Sequence, residues 1–334
     1  MSREPYLIFE DPEWDRRPGR RVLVFANLYP HPGAENYGTF VYDEVRMLRR
    51  LGVAADVFYL NGRANRANYF RAVPGYFRRL REKRYEVVHA HHTLSAAVAA
   101  LQRRLPLVIT FHGPEVSQSY TAPLSRYLAR RAEGAIATSR WVESHLGRKA
   151  DAIIPPGVDY DLFRPMDQGE SRAKLGLPPD RRQVLFVGLD RPEKRVWAVR
   201  EATEKLRAAG EPADLLLAQN LAHEEIPLYM NAADVLVLVS EAEGSPMVIK
   251  EAMGCNLPIV ASDVGDIREV IEGTEGCFLC EKTVEGTVEA IRKALAFGRR
   301  TDGRTRTAPY SLETSARRAM EVHEKALAKR EGGR

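Results

Sequence analysis

The feature that most constrains this chain is a regular alternation along its whole length. Short β-branched and aliphatic runs, such as Val22-Leu23-Val24-Phe25-Ala26 and Val235-Leu236-Val237-Leu238-Val239, are separated by stretches with apolar residues at helical spacing. Continuous apolar runs of this length suit strands buried on both faces, and helical crossovers between them favour parallel pairing. The pattern predicts strands at 21–26, 54–59, 86–90, 107–111, 134–138 and 152–154, then at 183–187, 214–218, 235–239, 258–262 and 276–279. So many strands in one sheet would be unusual, so the reading is α/β, with two doubly wound Rossmann-like domains facing across a cleft. Pro155-Pro156-Gly157-Val158-Asp159 interrupts the alternation between the halves. The expected divisions are 1–163, 164–308 and a closing segment 309–334, whose helix at about 312–330 returns to the first domain. Residues 1–20 precede the first predicted strand and receive no role, and residues 331–334 read as a frayed end.

Ligands of open α/β sheets collect beyond the carboxyl ends of the strands, and the informative loops all fall there. The richest runs from Ser240 to Gly254. It joins a buried strand to a helix expected over about 246–253, with Ser245 as N-cap, Pro246 at the first helical position and Gly254 as the stop. Unpaired N–H groups and the positive end of the helix dipole make such a start an anion site. Glu243 stands just before it and Glu251 further along the helix, so phosphate and sugar hydroxyls fit one place.

Composition narrows the class. No apolar run reaches the ~18 to 20 residues needed to cross a bilayer, and the acid-bearing N-terminal stretch argues against a signal peptide. A cytoplasmic enzyme is the expectation. A net charge of +5, carried mostly by Arg, suits an anionic partner. Cys255, Cys277 and Cys280 are too few for a disulfide framework, and with no nearby His to complete a metal set they read as buried strand thiols.

The run EGSPMVIKEAMGCNLPIVASDVGDIREVI, with a Glu, seven residues and a second Glu, resembles the donor-site signature of the retaining glycosyltransferases of family 4, which have the GT-B fold. That resemblance implies transfer of a sugar from a nucleoside diphosphate to an acceptor hydroxyl, with retention and without metal. By it, Glu243 faces the donor sugar and Glu251 the ribose. The backbone of Gly244, Ser245, Pro246, Met247 and Val248 lines the phosphate and sugar. Lys194 matches the family's diphosphate lysine. Arg191 stands near the usual Arg position, which here is Leu189, and the usual Gly after the lysine is Arg195. In the first half, His112 ends a strand where the family aims a histidine at the transferred sugar, and Gly38 and Thr39 close a loop similar to the family's first glycine-rich loop. UDP- or GDP-sugar is the implied donor, guessed from the short stretch 219–227, with no metal and no further cofactor.

Other features carry weaker readings. His89, His91 and His92 suggest a metal, but no carboxylate sits among them in sequence, so none is expected. Asp159-Tyr160-Asp161 reads as linker rather than a metal motif, and Asp266 with Glu269 has capping-box form. Residues 63–84, opening on Arg63 and closing on Arg84, interleave Arg with Tyr69, Phe70, Tyr76 and Phe77, which suits peripheral contact with an anionic membrane more than nucleic acid. The acceptor is a saccharide, lipid or small molecule. The competing functions are a related GT-B epimerase or phosphorylase and a non-catalytic nucleotide-sugar-binding protein.

Overall fold

The computed structural model describes residues 4–34 and 37–332. Glu35 and Asn36 of the first glycine-rich loop, and Gly333 and Arg334 of the closing segment, lie outside them. The chain forms two compact units, residues 1–157 with 312–334, and residues 158–311.

The first unit holds β1 (Tyr6–Phe9), β2 (Arg21–Ala26), β3 (Ala54–Leu60), β4 (Val87–His91), β5 (Leu107–Phe111), β6 (Gly134–Ala137) and β7 (Ala152–Ile153), in spatial order β1-β3-β2-β4-β5-β6-β7. From β2 to β7 all pairs are parallel. The strand expectations hold to within a residue or two, but β1 was not foreseen. It runs antiparallel along β3, with Tyr6 opposite Leu60 and Phe9 opposite Val57, so the leading residues lengthen the sheet. Alternation along β2 sends Leu23 and Phe25 to one face and Val22 and Val24 to the other. The helices Thr39–Arg50 and Leu312–Gly332 cover the second face, and burying each such side chain contributes about 1.5–3 kcal/mol.

Most aromatics of the basic segment 63–84 face inward, which corrects the reading of a continuous basic and aromatic surface. Tyr76 is fully buried against Phe25 and Phe58, and Tyr69 hydrogen-bonds Asn27, while Phe70 is 81% exposed. Arg79 is buried as well. Its Nη2, Lys83 Nζ and Tyr85 Oη all donate to Asp56 Oδ2, at 2.8, 2.9 and 2.6 Å, and the Asp11 N–H donates to Oδ1 at 2.8 Å. Burial pushes the Asp56 carboxyl up, but the hydrogen bonds from Lys83, Tyr85, Asp11 and Arg79 together outweigh it and hold the group below the usual range.

The second unit is a parallel sheet of β8 (Arg182–Val187), β9 (Ala213–Ala218), β10 (Val235–Leu238), β11 (Ile259–Ser262) and β12 (Cys277–Cys280), ordered β12-β11-β10-β8-β9. Helices such as Val196–Ala208 and Val284–Phe297 pack on it. Cys277 and Cys280 lie on β12, and burial pushes their thiols up to about 12 and about 11, in keeping with inert strand thiols. Asp159 Oδ1 accepts the N–H groups of Asp161 and Leu162 at 3.1 and 3.2 Å, so it caps a turn as a linker residue would.

Among the parallel strands of each sheet the order reverses once along the chain, between β2 and β4 and between β8 and β10. Open α/β sheets bind ligands at that reversal, where adjacent loops leave in opposite directions. The same rule picks one end of each unit.

Candidate functional site

In the second unit the loops after β8 and β10 are tied together. The Glu241 N–H donates to the Glu193 carbonyl at 2.8 Å, and Arg195 pairs with Glu241 at 3.0 Å. Across this junction Lys194 Nζ donates to Glu243 Oε1 at 2.5 Å, bringing together two residues 49 apart in sequence. Arg191, by contrast, is exposed and pairs with Glu193 at 3.4 Å. Arg195 adopts the left-handed conformation with φ of 49°, which explains why a glycine is usual at this place in the resemblance. Gly265, at φ of 62°, packs on the same loop, and a Cβ there would stand 2.7 Å from the Gly244 carbonyl oxygen.

The helix start is built differently from the sequence expectation. The helix is Met247–Gly254, and Pro246 is its cap residue, extended at ψ of 123°. Ser245 does not cap it. Its Oγ donates to Asp266 Oδ2 at 2.5 Å and accepts from Lys250 Nζ at 2.7 Å, and Lys250 is also 3.0 Å from Asp266. A fully buried ammonium must be paired, and this one draws the serine inward. Asp266 consequently makes no capping hydrogen bond to its own short helix, so the capping box expected there does not form. No side chain caps Met247–Gly254, so the N–H groups around Met247 and Val248 keep their capacity for a ligand. Gly254 is the last helical residue rather than a stop beyond it. A Cβ there would meet the Tyr160 ring at 2.7 Å.

Glu251 is nearly buried, with Oε1 3.0 Å from His223 Nε2. His223 belongs to the short loop after β9 and was not singled out in the sequence, nor was Lys250. Only the chain fold places them beside Glu251 and Ser245.

In the first unit Gly38 has φ of 75°, and a Cβ on it would lie 2.3 Å from the Leu28 carbonyl carbon, so the loop after β2 closes only on glycine. Thr39 then begins the helix Thr39–Arg50, whose Phe40 ring lies 4.8 Å from that of His112. The His112 carbonyl accepts from Thr138 Oγ1 at 2.9 Å. The backbone N–H groups of His112 and Gly113 donate to Glu115 at 2.7 and 2.9 Å. Burial pushes Glu115 up, but His92 beside it and the His112 N–H hold it below the ordinary carboxylate range. His112 Nε2 lies 3.0 Å from His91 Nδ1. Burial, reinforced by neighbouring imidazoles, keeps both rings well below the usual histidine range and therefore neutral at pH 7.

No carboxylate sits among these histidines in sequence, but the fold brings one to them. Glu44, one helical turn after Phe40, puts Oε1 3.6 Å from His89 Nδ1 and 3.8 Å from His91 Nε2. Sequence spacing could not show this, because helix and strand meet only through packing.

Among known proteins, the Glycosyltransferase Family 4 model matches residues 16–162 and the Glycosyl transferases group 1 model matches residues 180–296. A protein named for teichuronic acid biosynthesis, glycosyltransferase TuaC of Bacillus subtilis (strain 168), is 26% identical over 82% of this chain and 88% of its own length. Sucrose-phosphate synthase from Thermosynechococcus elongatus superposes with a TM-score of 0.79 at 20% identity, over 93% of this chain and all of that one. Anabaena HepE, solved with UDP bound, gives a TM-score of 0.69 at 19% identity over 91% of this chain and 99% of its own. With family models that together match most of the chain and a shared GT-B fold, the chain belongs to the family 4 glycosyltransferases.

Proposed function

We propose that this protein moves a sugar from a nucleoside diphosphate sugar to an acceptor hydroxyl, with retention of anomeric configuration and without a metal ion at the diphosphate. The observation that carries the reading is the Lys194–Glu243 contact beside the uncapped start of the helix Met247–Gly254. Departure of a nucleoside diphosphate builds negative charge, and a fixed ammonium with aimed N–H groups stabilises it without a cation. Lys194 takes the diphosphate, with Arg191 reaching it as a second cation. The backbone from Gly244 through Ser245, Pro246 and Met247 to Val248 lines phosphate and sugar. Glu243 accepts from the sugar hydroxyls, and Glu251, held by His223, accepts from the ribose. Gly38, Thr39 and His112 of the first unit serve the transferred sugar and the acceptor.

No side chain is assigned as a covalent nucleophile. The departing phosphate oxygen instead takes the acceptor proton as the new bond forms on the same face. The donor is a UDP- or GDP-sugar, and HepE, sharing the fold with UDP bound, puts uridine first in the trial. A thermal-shift screen against both sugar nucleotides, with and without Mg2+ or Mn2+, tests donor and metal together, since a ligand that binds the native state raises Tm. A shift that appears only with added cation, or none with either nucleotide, defeats the reading.

We further infer that the protein acts in the cytoplasm, and that any peripheral contact with an anionic membrane is made by exposed Phe70 with Arg66 and Arg71. Among the described residues no helix is long and apolar enough to cross a membrane. Co-sedimentation with phosphatidylglycerol vesicles, lost in Phe70→Ser, checks the contact.

A further inference from the structure

Beneath the strand reversal of the first unit lies a cluster that the transfer chemistry does not use. Glu44, His89 and His91 bring one carboxylate oxygen and two imidazole nitrogens within 4.8 Å of one another, with both rings fully buried. Among the described residues this is the one such group. The separations of Glu44 Oε1, 3.6 Å to His89 Nδ1 and 3.8 Å to His91 Nε2, are too long for hydrogen bonds. Glu44 Oε1 and His91 Nε2 are both buried without a hydrogen-bond partner. Buried polar atoms in such a state call for a specific explanation. Ligands on one tetrahedral ion, with bonds of about 2.0–2.1 Å, stand roughly 3.3 Å apart, so small side-chain movements would close these gaps onto a shared centre.

The far side of each ring is already organised as metal-binding histidines require. His89 Nε2 bonds Thr110 Oγ1 at 2.8 Å, and His91 Nδ1 bonds His112 Nε2 at 3.0 Å. Such outer partners fix ring orientation and tautomer. One existing contact opposes binding: His323 Nε2 lies 3.2 Å from His89 Nδ1, and an ion would displace it.

We propose that Glu44 Oε1, His89 Nδ1 and His91 Nε2 bind one Zn2+ ion inside the first unit. Two imidazoles with one carboxylate suit zinc, whereas Mg2+ and Ca2+ prefer oxygen alone. The ion has a consequence for the neighbouring ring. With His91 Nε2 on the metal, its proton sits on Nδ1 and is donated to His112 Nε2, so neutral His112 must carry its own proton on Nδ1. The ion thus acts as a positioning element for His112 and is separate from the diphosphate chemistry of the second unit. It does not rest on the glycosyl-transfer reading.

The test is metal content and calorimetry on the full chain. Elemental analysis after exhaustive dialysis, followed by Zn2+ titration of chelator-treated protein, should give one tightly held zinc per chain. Tm should rise with Zn2+ and stay unchanged with Mg2+. Glu44→Gln keeps the shape of the side chain but loses the anionic ligand. It should weaken Zn2+ binding by on the order of 100-fold, at the upper end of losses from outer-shell changes or beyond. Wild-type protein that takes up no zinc overturns the proposal, as does zinc binding of equal strength in folded Glu44→Gln. Neither result bears on the UDP-sugar thermal shift, which judges the transfer reading by itself.

Discussion

At the strand reversal of the second unit the groups proposed to meet the donor are charged and partly open, Lys194 and Glu243 retaining 19% and 13% side-chain exposure. At the corresponding place in the first unit the assigned group is the imidazole of His112, kept neutral by burial, with His91 and a carboxylate behind it. On the proposed function, the difference follows from what each must meet. An ammonium held by a carboxylate can exchange that partner for a diphosphate, because both states satisfy its charge. A neutral ring cannot bind a dianion in this way, but it can offer a hydrogen bond to a sugar hydroxyl without the desolvation penalty of a fixed charge. On the proposed function, the same topology serves two kinds of recognition, chosen by side chains at and just beyond the strand ends.

The contrast can be broken most sharply at Lys250, the buried cation that organises the charged side. Lys250→Ala leaves the buried Asp266 without its counter-charge, and should destabilise the protein by about 3–5 kcal/mol, read from urea midpoints. Next is Lys194→Ala. It should raise the barrier by about 3–4 kcal/mol, or ~10² to 10³ in kcat, with the far-ultraviolet circular dichroism unchanged. Undiminished turnover would remove the charged half of the comparison. His112→Ala tests the neutral half, where losing one hydrogen bond to substrate should cost roughly 1–2 kcal/mol, up to about 30-fold in kcat/KM.

Acid separates the units in another way. Asp56 has its carboxyl held below the usual range, so its contribution is present above the unfolded aspartate pKa and is lost as pH falls through the folded value. Urea midpoints measured downward from pH 5 should therefore fall in wild type and fall less in Asp56→Asn, which starts lower. The smallest expected effect is at Arg195. Arg195→Gly relieves a left-handed backbone but loosens the unfolded chain and loses the exposed Glu241 partner, so stability should change by less than about 1 kcal/mol.

Much of this was legible before the fold was seen, and the exceptions have definite causes. Glu243, Glu251 and the helix between them are local in sequence, so propensity and capping residues reveal them. Even there Ser245 was misjudged as a cap, because its hydroxyl answers to Lys250 and Asp266 rather than to the nearest N–H. β1 escaped notice because it is four residues long and depends on pairing with β3 across some fifty residues. Tyr76 and Arg79 read as surface in a basic run, whereas a buried aromatic cluster and Asp56 hold them inside.

Periodicity and punctuation in the chain alone determined that there would be two largely parallel, helix-covered sheets and that Lys194, Glu243, Glu251, His112 and Gly38 would each follow a strand. They could do so because backbone preference and apolar patterning act over a few residues. Which charges meet was decided by tertiary structure: Lys194 with Glu243, His223 with Glu251, Lys250 with Asp266, and Glu44 with two histidines. Coulombic and hydrogen-bonding partners are selected by distance in space, and the packing of helices on sheets sets that distance.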